Sequence, residues 1–213
     1  MLTDPPYFDY IAYSELGHFF VPWLVKFCLV DASHLGKFPE GQLASSGRAA
    51  VDAIEFGEKL SEVMREIARV TKTEGRIVFT YQDLDGRGWA ALAAAMAHAA
   101  ILPITAFPMF GDGASGLHKH ENSIAWDCVL VCRTGPPVGP FEVRHTGNAD
   151  GAAFADRWRR KLGDDGHALS PGDVANMRHV GRLLASFEKK AWEDDGRGAV
   201  ASYTKGAARP IHG

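Results

Sequence analysis

Cysteine and long apolar runs are scarce in this sequence and positive charge falls short of negative, and each shortage argues against a class of protein. The three cysteines, Cys28, Cys128 and Cys132, are odd in number and show no C-x-x-C spacing, so neither a disulfide framework nor a zinc ribbon is indicated. Cys128 and Cys132 read instead as small core residues in or near a strand. The longest uninterrupted apolar stretch, Phe19 to Val25, stops at Lys26, well short of the roughly 20 residues a helix needs to span a bilayer. The opening residues Met1 to Pro6 lack the basic start and apolar run of a secretory signal, so a cytoplasmic protein with no membrane segment is expected. Net charge is -3, and it is uneven: Met1 to Thr134 hold 11 Lys and Arg against 16 Asp and Glu, Gly135 to Gly213 hold 12 against 10. An acidic first part argues against a tight, sequence-independent grip on a polyanion by this chain alone, because that affinity comes from neutralised phosphates.

What is present is ordinary globular composition, 46% hydrophobic and 23% charged over 213 residues, enough for one domain with a sizeable core. Leu16, Phe19, Phe20, Trp23, Leu24, Phe27 and Cys28 recur at three- and four-residue spacing and predict an apolar helical face between Ser14 and Leu29. Pro22 predicts a kink or a restart within it. Gly36 to Arg48 is rich in Gly, Pro and Ser and reads as a surface loop. Phe56, Leu60, Val63, Met64, Ile67 and Val70 mark a second amphipathic helix, closed at Thr73-Glu74-Gly75. The apolar run Ile77-Val78-Phe79 within Arg76 to Tyr81 predicts a buried parallel strand. An alanine-rich helix, Trp89 to Ala100, follows, and then strands at Ile101 to Phe110 and Ser123 to Arg133. Gly111 to Asn122 leaves no room for a crossover helix between those two strands, which predicts an antiparallel pair. Beyond the break at Gly135, Pro136, Pro137 and Gly139, Ala152 to Leu162 and Val174 to Trp192 read as helices, the second preceded by Ser170-Pro171. The chain thus divides into residues 1–134 and a helical extension, 135–213, ending in a flexible tail from Gly196.

Thr3-Asp4-Pro5-Pro6-Tyr7 is the stretch that carries chemistry. Two consecutive prolines between an acid and an aromatic hold the backbone in one extended shape. Because proline has no N–H, the carbonyls of Asp4 and Pro5 stay free to accept from a ligand. In isolation such a tetrapeptide reads as a turn; the elements behind it give it context. Asp4-Pro5-Pro6-Tyr7 resembles the D/N/S-P-P-Y/F motif of methyltransferases that modify exocyclic amino groups of nucleobases. The continuation Phe8-Asp9-Tyr10, Leu16, Phe19-Phe20 and Trp23-Leu24, with Gly75 to Tyr81 and Leu130 to Arg133, is similar to the large adenine-specific DNA methylases associated with a zinc-ribbon region. The likeness runs from about Leu2 to Arg133.

That resemblance implies an α/β fold: the late strands of a Rossmann-like methyltransferase sheet, ending in an antiparallel pair, with a helical C-terminal extension. It implies S-adenosylmethionine as cofactor and DNA as substrate, adenine N6 ahead of cytosine N4. An aromatic amino nitrogen donates its lone pair into the ring and is a poor nucleophile. Hydrogen bonds from its N–H groups to the Asp4 carboxylate and the Pro5 carbonyl would draw it toward tetrahedral geometry. Tyr7 would stack on a base extruded from the duplex and, with Asp4, face the sulfonium of the cofactor. Tyr10 and Tyr13 are candidates for the pocket wall, or for the core. Lys119 and Asn122 are substrate-binding candidates in the loop that also holds His118, His120 and Glu121. Two histidines without further ligands do not make a metal site, and no metal is expected. Arg157, Arg159, Arg160 and Lys161 form a basic cluster that either touches phosphates or is a solvated helix face.

In the resembling family the Gly-rich cofactor turn lies ahead of the motif, and only three residues precede Asp4 here. Gly111 to Gly116 links two late strands with no helix after it, which is the wrong context for that turn. Two expectations follow. Either the chain acts with a second polypeptide that supplies the cofactor-binding strands, or it is a catalytically incomplete remnant that serves as a binding or partner-association module.

Overall fold

A computed structural model describes residues 1–8, 13–35, 52–84, 86–111, 122–135 and 148–187, with backbone alone at 13–15 and 148–150. These residues form a mixed α/β fold with an open four-stranded sheet and five helices. In chain order they are β1 (Leu2–Thr3), α1 (Tyr13–Lys26), a 3-10 turn (Ala32–His34), α2 (Ala53–Val70), β2 (Ile77–Tyr81), α3 (Arg87–His98), β3 (Ile101–Phe110), β4 (Trp126–Thr134), α4 (Asn148–Asp164) and α5 (Pro171–Phe187). The order through β4 follows the sequence patterns. The sheet runs β1-β2-β4-β3, with β1 parallel to β2 and β4 antiparallel to both its neighbours. The antiparallel β3 and β4 are what their short connection requires.

Alternation along the strands sorts the sheet into two unlike faces. Ile77, Phe79 and Tyr81 pair with Cys132, Leu130 and Cys128, and all six are buried on one face. There Trp89 of α3 packs edge-on to Tyr81, and Asn176 of α5 reaches the Cys128 sulfur. Val78, Thr80, Val129 and Val131 look the other way and carry the site side of the sheet. The alanine-rich composition of α3 follows from its place: every residue from Gly88 to Ala97 is buried, so the helix must be slim to fit between its neighbours. Gly57 of α2 approaches Ala91 closely enough that an added Cβ would sit 3.4 Å away.

Helix boundaries are set by side chains. Asp52 caps α2 by accepting from Ile54 N and Glu55 N. Ser170, Pro171 and Asp173 open α5 with a reciprocal box: Asp173 N donates to Ser170 Oγ and Ser170 N donates to Asp173 Oδ2. This helix begins three residues earlier than the apolar periodicity predicts, because the cap and not the periodicity sets its start. The predicted stretch beyond Phe187, like the tail from Gly196 and the loop Gly36 to Arg48, lies outside the described residues.

Two expectations need correcting. In α2, Val63 and Val70 are exposed, and Gly57 and Ser61 take part of the buried stripe instead. Of the kink or restart expected at Pro22, the restart does not occur, since α1 is a single helix through that residue; its Leu16, Phe19, Phe20 and Trp23, with Phe27 just after it, are each more than half exposed. The apolar face is present, but the main neighbour of α1 is the 3-10 turn after it, not the sheet.

Candidate functional site

Strand β1 ends at Thr3, opposite Phe79, so Asp4 leaves it beside Thr80, the last residue but one of the parallel β2. Open α/β sheets bind ligands at such an edge. The Thr80 hydroxyl donates to Asp4 Oδ1, and the Tyr7 phenol donates to the same oxygen at 3.2 Å. Asp4 itself is exposed, Pro5 is buried and Pro6 is half-buried. The proline ring therefore anchors a carboxylate that stays open to solvent.

An aromatic chain holds the next two residues. Tyr7 meets Tyr81 edge-on at 5.7 Å between ring centroids, and Tyr81 meets Trp89 at 4.9 Å. Buried Phe8 packs on Phe56 at 5.3 Å, and the Arg87 guanidinium lies over its ring. Each aromatic pair adds about 0.5–1.5 kcal/mol beyond the area it buries. Gly88 makes the arrangement possible, since a Cβ there would meet the Asp83 carboxylate, and Phe8 Cβ and Tyr81 OH at 2.7 Å. Its N–H donates to Asp83 Oδ2 at 2.6 Å, tying the start of α3 to the end of β2.

Burial is the main reason the Tyr7 phenol ionises well above its ordinary range, and the Asp127 and Asp4 carboxylates push it further. The Thr80 hydroxyl works in the opposite direction and does not outweigh them. Tyr7 is therefore a neutral donor at ordinary pH. Asp127 lies two residues before Val129, the partner of Thr80, and so on the same face of the sheet. Two carboxylates thus flank one phenol.

The far side of this edge is held by α5. Asp173 Oδ1 accepts from Ala125 N at 2.7 Å and Trp126 N at 2.9 Å. Asn176 Oδ1 accepts from Asp83 N and from Trp89 Nε1. Close packing at the first turn of α5 again depends on glycine, because a Cβ on Gly172 would strike the Asn122 carbonyl.

Of the residues the sequence points to, Asp4 and Tyr7 are bonded to each other and Pro5 and Pro6 complete the clamp. Asn122 is exposed against the start of α5, with no described bond to the clamp. Tyr13 lies in α1, where the backbone alone is described, and Tyr10 and Lys119, with His118, His120 and Glu121, fall outside the described residues. Sequence reasoning missed Thr80 and Asp127 as members of the site. Their signal was a polar residue breaking an apolar strand at the end nearest the motif. The thiols do not contribute: burial pushes Cys132 up to about 12 and Cys128 higher still, so neither offers a thiolate. Among the described residues no group of three His, Cys, Asp or Glu side chains could hold a metal ion, and no helix is long and apolar enough to cross a membrane. No family model, no curated protein and no solved structure matches this chain.

Proposed function

We propose that this chain serves S-adenosylmethionine-dependent methyl transfer to an exocyclic amino group of a nucleobase, with adenine N6 in DNA as the leading substrate. The observation that carries the reading is the Asp4 carboxylate, exposed at the carboxyl end of β1 and fixed there by Thr80 and Tyr7. With Oδ1 committed to two hydroxyl donors, Oδ2 is the oxygen left to accept an amino N–H. The Pro5 carbonyl is the expected acceptor for the second. An acceptor set fixed before reaction has no reorganisation to make at the barrier. The Asp4 carboxylate is then also the nearest group to hold the proton that the nitrogen gives up once it is methylated.

The sheet supports the same reading. A parallel pair, β1 and β2, continued by an antiparallel terminal pair suits the late strands of a Rossmann-like methyltransferase sheet. The donor set also suits the cofactor: the Asp4 and Asp127 carboxylates act together on Tyr7, an anionic setting fit for a sulfonium. Asp4 and Tyr7 would face that group, which supplies the methyl when bound. The cofactor's remaining contacts are proposed to come from a second polypeptide.

The test replaces the chromosomal copy with Asp4→Ala in the cells the chain comes from, and quantifies N6-methyladenine and N4-methylcytosine in their DNA by mass spectrometry. Loss of one of these bases, at unchanged protein level, is expected; unchanged levels of both would refute the proposal. A second reading, a non-catalytic partner-association module, is favoured by one observation, the exposed apolar surface of α1.

A further inference from the structure

Helix α4 reverses the sign of the rest of the molecule. Four of the five residues from Arg157 to Lys161 are cationic, and all four are exposed, in a chain whose net charge is -3. Charged helix faces usually neutralise themselves, and α2 does so: Lys59 pairs with Glu55 at 2.9 Å and Arg69 with Glu66 at 2.6 Å. In α4 no cation pairs with a carboxylate among the described residues. Aromatic rings hold two of them instead. The Arg157 guanidinium lies 5.1 Å from the Phe154 centroid and 5.9 Å from that of Trp158, and Lys161 Nζ lies 5.0 Å from Trp158. Rings order these side chains while leaving their charge unspent. Arg160 turns its Nε to the Asp156 carbonyl, at 3.3 Å, and also keeps its full charge.

Position adds a second argument. Residues 157, 160 and 161 share one side of the helix, and Lys161 lies in its last turn. The link from α4 to α5 then passes the start of β4, with the His167 ring 5.3 Å from Trp126, at the end of the sheet where β2 stops but on its helix-covered face. The C-terminal end of α4 thus leads into the end of the sheet where β2 stops.

We infer that Arg157, Arg160 and Lys161 of α4 form the surface that receives the phosphate backbone of the nucleic acid whose base enters the Asp4 clamp. The inference rests on the amino-methyl transfer reading and names the partner's docking face. Guanidinium forks match phosphate and carboxylate oxygens alike; what favours a nucleic acid over a protein acid is Trp158, half-exposed beside the cations, which offers ring surface to an unpaired base.

The experiment measures binding of the full chain to a fluorescent duplex across a salt series, for the wild type, for Arg157→Gln/Arg160→Gln/Lys161→Gln together, and for Lys59→Gln/Arg69→Gln as a control. Each phosphate contact contributes about 0.9 to the slope of log K against log salt. The triple variant should lose about 2 to 3 from that slope, equally on unrelated sequences, while its circular dichroism melt and the control's binding stay as in the wild type. An unchanged slope in the triple variant, no duplex binding by the wild type, or displacement of the duplex by polyglutamate at equal charge would overturn it. The two proposals fail separately. A lost slope with no Asp4-dependent base methylation sinks the transfer reading and keeps the surface; Asp4-dependent methylation with an unchanged slope does the reverse.

Discussion

Asp4 is exposed, yet two hydroxyls fix it, and that pairing of access with rigidity separates it from an ordinary surface acid. Tyr7 contributes by staying protonated, since burial and two nearby carboxylates hold its proton in place. The cysteines show the opposite use of burial. Cys128 and Cys132 are fully buried on the helix-covered face, and Cys28 is exposed just after α1. With Ellman's reagent, one thiol per native chain should therefore react promptly, and a Cys28→Ser chain should react only on unfolding. Two or three prompt thiols in the native protein would contradict the packing of β4.

At the scale of elements, the weight falls on the junction of β4 and α5. One buried carboxylate, Asp173, accepts from Ser170 N, Ala125 N and Trp126 N, so it caps a helix and pins the start of a strand at once. Asp173→Ala should destabilise the fold by about 2–3 kcal/mol in urea denaturation, since it removes a cap and strands one buried and one part-buried N–H donor. A loss below half a kcal/mol would mean that α5 is only loosely attached. The sequence made the elements legible where periodicity was strong, in α2, β2, α3 and the antiparallel β3 and β4. It made the clamp legible because prolines state their backbone shape locally. Thr80 and Asp127 were less legible, since their roles depend on strand register, a long-range property. What packs on α1 was not legible, for a physical reason: spacing shows that a helix has an apolar face and not what covers it.

At the scale of the molecule, the parts divide by charge and by surface. The site side carries Asp4 and Asp127, α4 carries cations that no described acid neutralises, and α1 presents aromatic and aliphatic side chains to solvent. On the proposed reading the carboxylates take the amino group and the cationic face of α4 takes the phosphate backbone, while the apolar helix suits a chain that works beside another polypeptide. The most direct measurement adds purified chain to an extract of cells lacking it and follows label from methyl-tritiated S-adenosylmethionine into DNA. The account predicts that the wild-type chain restores incorporation and that a folded Asp4→Ala chain does not. Equal restoration by the two chains, or none by the wild type, would contradict it.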